Sequence, residues 1–368
     1  QKQPTHRNSK IMNPMPLQTF NVQFAKTILH LIFMKNRSFI CLFSLMLCLA
    51  ARGQVLPVLG GQRVGLSTLS FLKNDLSPQS IAMGGASAAL EANSYSVNNN
   101  PGALALHGSK QLALSNAVLG AGVHQSYISW IKPAKNGASW ALTVNSLNTG
   151  LMEVRTEFMP QGTGEKFGTH FSYLGFSYSK RLSSKFSVGG TIKYVFENLA
   201  GATNQTATGD LGFLYDLGVR DLKFAVLFQN FGGNSSIELD DLPNNFNRDD
   251  YSLSQSTVPT TFKMGFSFNL LKKGYHKIIS AFQLNHPNDN SENYRIGFEY
   301  QYSSLLFIRA GYRMALKAQN LPTFGLALQS RLGKHPLKID YSVLPSVGLG
   351  TQHLIGLALN FNEKKRNE

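Results

Sequence analysis

The residues that could do chemistry do not assemble into a catalytic pattern. The nine histidines are scattered, with no His-x-x-x-His or His-x-Glu spacing to suggest a metal-assisted hydrolase. "GTGE" (162–165) lacks the Lys-Ser/Thr of a phosphate loop. "GASAAL" does not set Ser87 in the G-x-S-x-G elbow that a nucleophile needs. Two acid pairs, Asp240-Asp241 and Asp249-Asp250, share the long polar stretch "GNSSIELDDLPNNFNRDDYSLSQST". They could hold calcium or bridge lipopolysaccharide, or form a partner-docking loop, but D-x-D-x-D-G spacing is missing and a solvated acidic loop is the plainer reading. The sequons "NQT" (204–206) and "NSS" (234–236) are chance matches on this reading. No enzyme, no cofactor and no metal site is expected. What remains is a set of charges placed at every second residue: Arg295, Glu299, Arg309, Arg313 and Arg331, with Gln301, Gln329, Lys338 and Asp340.

That spacing points to the elements that carry it. In "NYRIGFEYQYS" (293–303), Tyr294, Ile296, Phe298, Tyr300 and Tyr302 fall on one face, opposite Arg295, Gly297, Glu299 and Gln301. "FKMGFSF" and "HLIGLALNF" alternate in the same way, as strands buried on one face do. Such blocks recur from residue 110 to 361 and predict about fourteen strands: 110–118, 122–132, 138–148, 168–182, 185–197, 206–218, 221–231, 257–270, 276–285, 292–302, 305–315, 321–333, 336–344 and 351–361. "GLMEVRTEF" (150–158) either lengthens a strand or adds a fifteenth. Many blocks reach the roughly 9–11 residues of a tilted membrane-crossing strand. Tight connections such as "SS" (183–184 and 303–304) and "KH" (334–335) alternate with longer ones at 149–167, 198–205, 232–256, 286–291, 316–320 and 345–350. A soluble sandwich has no reason to alternate so; an outer-membrane barrel, with short periplasmic turns and longer outer loops, does.

The expectation is therefore an all-β chain: a single transmembrane antiparallel β-barrel of about 14 strands over 110–361, with apolar faces toward lipid and the charged set toward the lumen. Across Ser303-Ser304, inward residues whose numbers sum to 608 face each other, which sets Glu299 against Arg309 and Arg295 against Arg313.

The leading part reads as export. Met34-Lys35-Asn36-Arg37 is a basic start, followed by an apolar run from Ile40 to Ala51 that is too short to span a bilayer but suits a signal peptide. Residues 34–53 are the expected signal peptide, 1–33 an upstream extension and 362–368 a polar periplasmic tail. Both cysteines, Cys41 and Cys48, fall inside the signal core, so no disulfide framework or thiol nucleophile is expected after cleavage. Residues 1–53 carry seven Lys/Arg and no acid, leaving 28 basic against 20 acidic residues. That balance is not a nucleic-acid footprint.

Between leader and barrel, 54–109 is soft, rich in Gly, Ala, Ser and Asn. Its Phe71-Leu72, Ala82-Met83-Gly84-Gly85-Ala86 and Asn100-Pro101-Gly102-Ala103-Leu104 resemble the N-terminal signature of the PorV/PorQ family, outer-membrane proteins distantly akin to the FadL fatty-acid channels. "FSVGGTIKYVFENL" (186–199), "TGDLGFLYDLG" (208–218) and "FAVLFQNFGG" (224–233) are similar to its barrel blocks. One departure is Ser77-Pro78-Gln79-Ser80, where the family often has a basic residue before Met-Gly-Gly. The resemblance implies that 54–109 plugs the lumen, with Met83, Gly84, Gly85, Asn100 and Pro101 as its motif. It also implies a part in type IX secretion: binding secreted proteins that carry C-terminal signal domains, or attachment components, at the cell surface. The alternative is a FadL-like channel for hydrophobic small molecules, against which the charged residues on strands 10 to 13 weigh.

Overall fold

The computed structural model describes residues 67–90, 92–199, 202–232, 257–315, 322–346 and 350–361. Residues 1–33, the expected signal segment 34–53, the first part of the expected plug (54–66), Asp240, Asp241, Asp249, Asp250 and the expected tail 362–368 lie outside the described residues.

Fourteen antiparallel strands close into a barrel. In order they are β1 Lys110–Gly120, β2 Val123–Pro133, β3 Ala138–Glu153, β4 Lys166–Arg181, β5 Phe186–Leu199, β6 Ala202–Asp216 and β7 Lys223–Gly232. The second half comprises β8 Thr261–Lys273, β9 His276–Pro287, β10 Asn293–Tyr302, β11 Leu306–Ala315, β12 Pro322–Leu332, β13 His335–Leu344 and β14 Gln352–Phe361. Each strand pairs with its sequence neighbours, and β1 pairs with β14 from Lys110↔Phe361 to Val118↔His353. No sheet edge is left open, as a bilayer requires.

Alternation decides what faces where. In β12, Thr323, Gly325 and Ala327 are buried while Phe324, Leu326 and Leu328 stand outward, Leu328 with 57% of its surface exposed. Ile128, Trp130, Val144, Leu174, Ile192 and Ile355 project in the same way from other strands. The buried inner positions are rich in Ser129, Thr143, Asn145, Ser177 and Thr191 instead. A chain that is apolar outside and polar within is built for hydrocarbon surroundings. No helix among the described residues is long and apolar enough to cross a membrane.

Two connections differ from the sequence reading. Of "GLMEVRTEF" (150–158), Gly150 to Glu153 lengthen β3, one of the two forms left open, with Leu151, Met152 and Glu153 pairing with Gly168, Phe167 and Lys166 beyond a bulge; the rest is not strand, and no fifteenth strand forms among the described residues. The segment 198–205 is not a loop, because β5 and β6 stay paired out to Leu199↔Ala202. Polar side chains alternate with Thr203, Gln205 and Ala207 there, which hid the strand period from an apolar count.

Inside the barrel lies the plug, residues 67–107. Its two short helices are α1 (Pro78–Ala82) and α2 (Ser96–Asn99), flanked by 3-10 turns at Ser70–Lys73 and Pro101–Leu106. Ser77 caps α1, its hydroxyl accepting from the Ser80 N–H, and Pro78 occupies the first turn, where its missing N–H costs nothing. Gly84 and Gly85 follow with φ of +69° and +87°, a left-handed run that glycine enters without strain.

Candidate functional site

The site is the contact between plug and inner wall. Two plug motifs are seated on two pairs of wall glycines. Gly297 of β10 lies across from Gly311 of β11. A Cβ at Gly311 would fall 2.0 Å from the Gly84 nitrogen and 2.2 Å from the Met83 carbonyl carbon; one at Gly297 would meet the Met83 backbone oxygen at 2.5 Å. Around the barrel, Gly189 of β5 faces Gly212 of β6. A Cβ at Gly189 would meet the Pro101 oxygen at 2.3 Å, and one at Gly212 the Asn100 Oδ1 at 2.1 Å. The plug backbone can touch the wall there only because both sides lack bulk.

Polar bonds lock each seat. The Gly84 N–H donates to Thr323 Oγ1 at 2.9 Å, and the Thr323 hydroxyl donates to the Ala82 carbonyl at 3.0 Å. Arg313 Nε donates to the Gly84 carbonyl at 3.0 Å, and Arg295 Nη1 reaches the Gly85 carbonyl at 3.5 Å. Gln283 Oε1 accepts from the N–H groups of Ser87 and Ala88. At the second seat Asn100 Oδ1 accepts from the Gly102 N–H, while its Nδ2 donates to Ala88 and Phe213 carbonyls. So Met83, Gly84 and Gly85 meet Arg295 and Arg313, whereas Asn100 and Pro101 dock five strands away.

A buried ionic cluster lies nearer the short-turn end. The Ser303–Leu305 turn begins with Ser303 and Ser304 at φ of 51° and 54°, leaves Leu305 over, and brings Glu299 opposite Arg309. Arg309 Nε donates to Glu299, and its Nη1 donates to Asp340 at 2.6 Å. The plug joins through Gln79, whose Nε2 donates to Glu299 at 2.8 Å. Lys338 holds its ammonium 3.9 Å from the Phe307 ring centroid. Arg331 does not join this cluster; it is exposed near the Gly333 turn, because β12 there has run past the plug.

An apolar stripe crosses the otherwise polar inner wall of β2–β5. Leu69, Phe71, Leu72 and Leu76 of the plug pack against Tyr127 of β2, Leu147 of β3, Tyr173 of β4 and Val195 of β5, with Phe171 beside Phe71 at a ring separation of 5.4 Å. The sequence reading weighed only strands 10 to 13 and missed this stripe. The glycine seats were missed too, although 297 and 311 sum to the same 608 that pairs Glu299 with Arg309. Among the described residues no group of three or more His, Cys, Asp or Glu could hold a metal ion.

His107 closes the plug, its Nε2 donating to the Asn93 carbonyl at 2.7 Å. Burial holds this imidazole down at about 4, against the opposing pull of the Asn93 bond. Its value when docked lies below the ordinary unfolded value of about 6.5, so the loosened plug binds the extra proton between the two. Docking is therefore strongest above pH 6.5 and weakens as pH falls toward 4, by about 3 kcal/mol in full. Amide protection over 93–107, corrected for intrinsic exchange, should fall across that window, and less so in His107→Gln.

No protein-family model matches the sequence, and no curated protein matches it. Solved structures do resemble the fold. The TodX deltaS2S3 mutant monoaromatic hydrocarbon channel aligns at 13% identity with a TM-score of 0.52, covering 77% of this chain and 98% of that one. The Pseudomonas putida toluene transporter TodX aligns at 13% identity and 0.50, covering 82% and 98%. A Pseudomonas aeruginosa FadL homologue aligns at 10% identity and 0.43, covering 77% and 98%. What is shared with the TodX structures is the fold, a closed antiparallel β-barrel, here of fourteen strands.

Proposed function

We propose that this barrel is a plugged outer-membrane channel for small hydrophobic molecules. The observation that carries the reading is the apolar stripe of β2–β5, filled by the chain's own Leu69, Phe71, Leu72 and Leu76. A segment that packs four apolar side chains on the inner wall covers a surface that would suit an apolar solute once the segment shifts. The TodX barrels, described as carrying monoaromatic hydrocarbons or toluene, support the same solute class. In cells expressing the chain, initial uptake of labelled toluene should exceed that of empty-vector cells several-fold. Val195→Arg, which puts a charge in the stripe, should return it to the control rate while the barrel still inserts. Equal uptake with and without the chain would sink the reading.

A second reading is a part in type IX secretion, with exported proteins bearing C-terminal signal domains, or attachment components, as partners. It is favoured by the seats themselves: the Met83-Gly84-Gly85 and Asn100-Pro101-Gly102 motifs that resemble the PorV/PorQ signature each have a defined place on the wall. On this reading the plug is a fixed structural part and nothing passes through the lumen. Loss of surface-attached cargo in a deletion strain, with toluene uptake unchanged, would select it.

A further inference from the structure

At the end of the barrel that carries the longer connections lies a cavity of about 190 Å³, room for roughly six waters. Three cations line it from three directions: Lys73 from the plug, Lys263 from β8 and Arg295 from β10. Arg313 is the cross-strand partner of Arg295. Two carboxylates are near. Asp289 is taken up by Lys73, 2.6 Å away, and by the Ser67 hydroxyl. Asp75 turns its oxygens to the Ser77 N–H and the Ser80 hydroxyl at the start of α1.

The hydrogen bonds made by the arginines go to neutral acceptors. Arg295 Nε donates to Asn293 Oδ1 at 2.9 Å, and Arg313 Nε to the Gly84 carbonyl. Among the described residues, no carboxylate bonds to Lys263, Arg295 or Arg313. Among the described residues, four cations against two acids leave an excess of two positive charges, held half-buried inside the barrel. Uncompensated charge in such surroundings is unfavourable, and a bound counter-ion removes the penalty. The excess of two matches a dianion rather than a carboxylate, and the amide groups of Asn290 and Gln229 on the rim can serve its remaining oxygens.

We propose that this cavity is a binding site for a dianionic oxyanion of the phosphate class, with Lys263 and Arg295 as its charged donors. The site lies beyond the apolar stripe and stands whichever reading of the channel holds. The test uses the full chain, purified in detergent in phosphate-free buffer at pH 8, titrated calorimetrically with inorganic phosphate and separately with acetate. Phosphate should bind saturably, one per barrel, and acetate at least tenfold more weakly. Lys263→Met keeps the aliphatic stem and should weaken phosphate at least tenfold. Lys272→Met, which removes an exposed lysine near Asp221, should leave it unchanged. Heat-modifiable mobility on a gel verifies that each variant is folded. No saturable phosphate binding by the parent, equal affinity in Lys263→Met, or acetate binding as tightly as phosphate would each overturn the assignment.

Discussion

Gly311→Leu should unseat the plug while leaving the barrel closed. The new Cβ would fall 2.0 Å from the Gly84 nitrogen and 2.2 Å from the Met83 carbonyl carbon, both of them backbone atoms with no rotamer to retreat into. Overpacking a core costs roughly 1–3 kcal/mol when side chains can adjust, and more when they cannot. The strand itself is untouched, since Gly311 has ordinary extended geometry and its ladder to β10 and β12 does not need the missing Cβ. Amide protection over 77–104 should therefore drop by on the order of 100-fold, which corresponds to about 3 kcal/mol. Conductance in planar bilayers should rise as the lumen clears. Gly108→Ala is the matched control, because a Cβ there meets nothing within 4 Å. Unchanged protection in Gly311→Leu would mean the plug does not rest on this seat.

Arg309→Met should be the most destabilising single change in the wall. It leaves Glu299 and Asp340 buried and facing each other, with only Gln79, Gln301 and the distant ammonium of Lys338 to answer them. Removing one member of a buried ionic group costs about 3–5 kcal/mol, mostly as the penalty on the charges left behind. The urea midpoint for refolding into liposomes should fall accordingly. Combining Arg309→Met with Glu299→Gln and Asp340→Asn should recover most of the loss, since the orphaned charges are then gone too. If the triple variant is as weak as the single one, the cluster matters for its shape and not its charge.

The barrel was legible because it obeys one period. Tyr294 to Tyr302 and Ile355 to Phe361 alternate cleanly, and one tight turn at Ser303-Ser304 was enough to set Glu299 across from Arg309. Legibility failed where the period carries no apolar signal, as at Thr203 and Gln205, and stayed open between two forms where a strand runs on through a bulge past Asn148. The resemblance made this segment a plug, but its seats on the wall could not be read, because a seat is a relation between residues far apart in the chain. The apolar stripe escaped for a related reason. Tyr127, Leu147, Tyr173 and Val195 interrupt otherwise polar inner faces singly, one per strand, and only closure of the barrel lines them up.

Those long separations have a consequence for assembly. Gly84 and Thr323 are bonded although 239 positions divide them, and β1 must find β14 before the inner wall exists as a surface. The plug is synthesised before its seats and docks after them, so it pays a loop-closure entropy that only a finished cylinder repays. Docking is then the final kinetic event of maturation. A barrel missing its last strands offers this segment no seat at Gly311 or Thr323, so the plug stays undocked until closure.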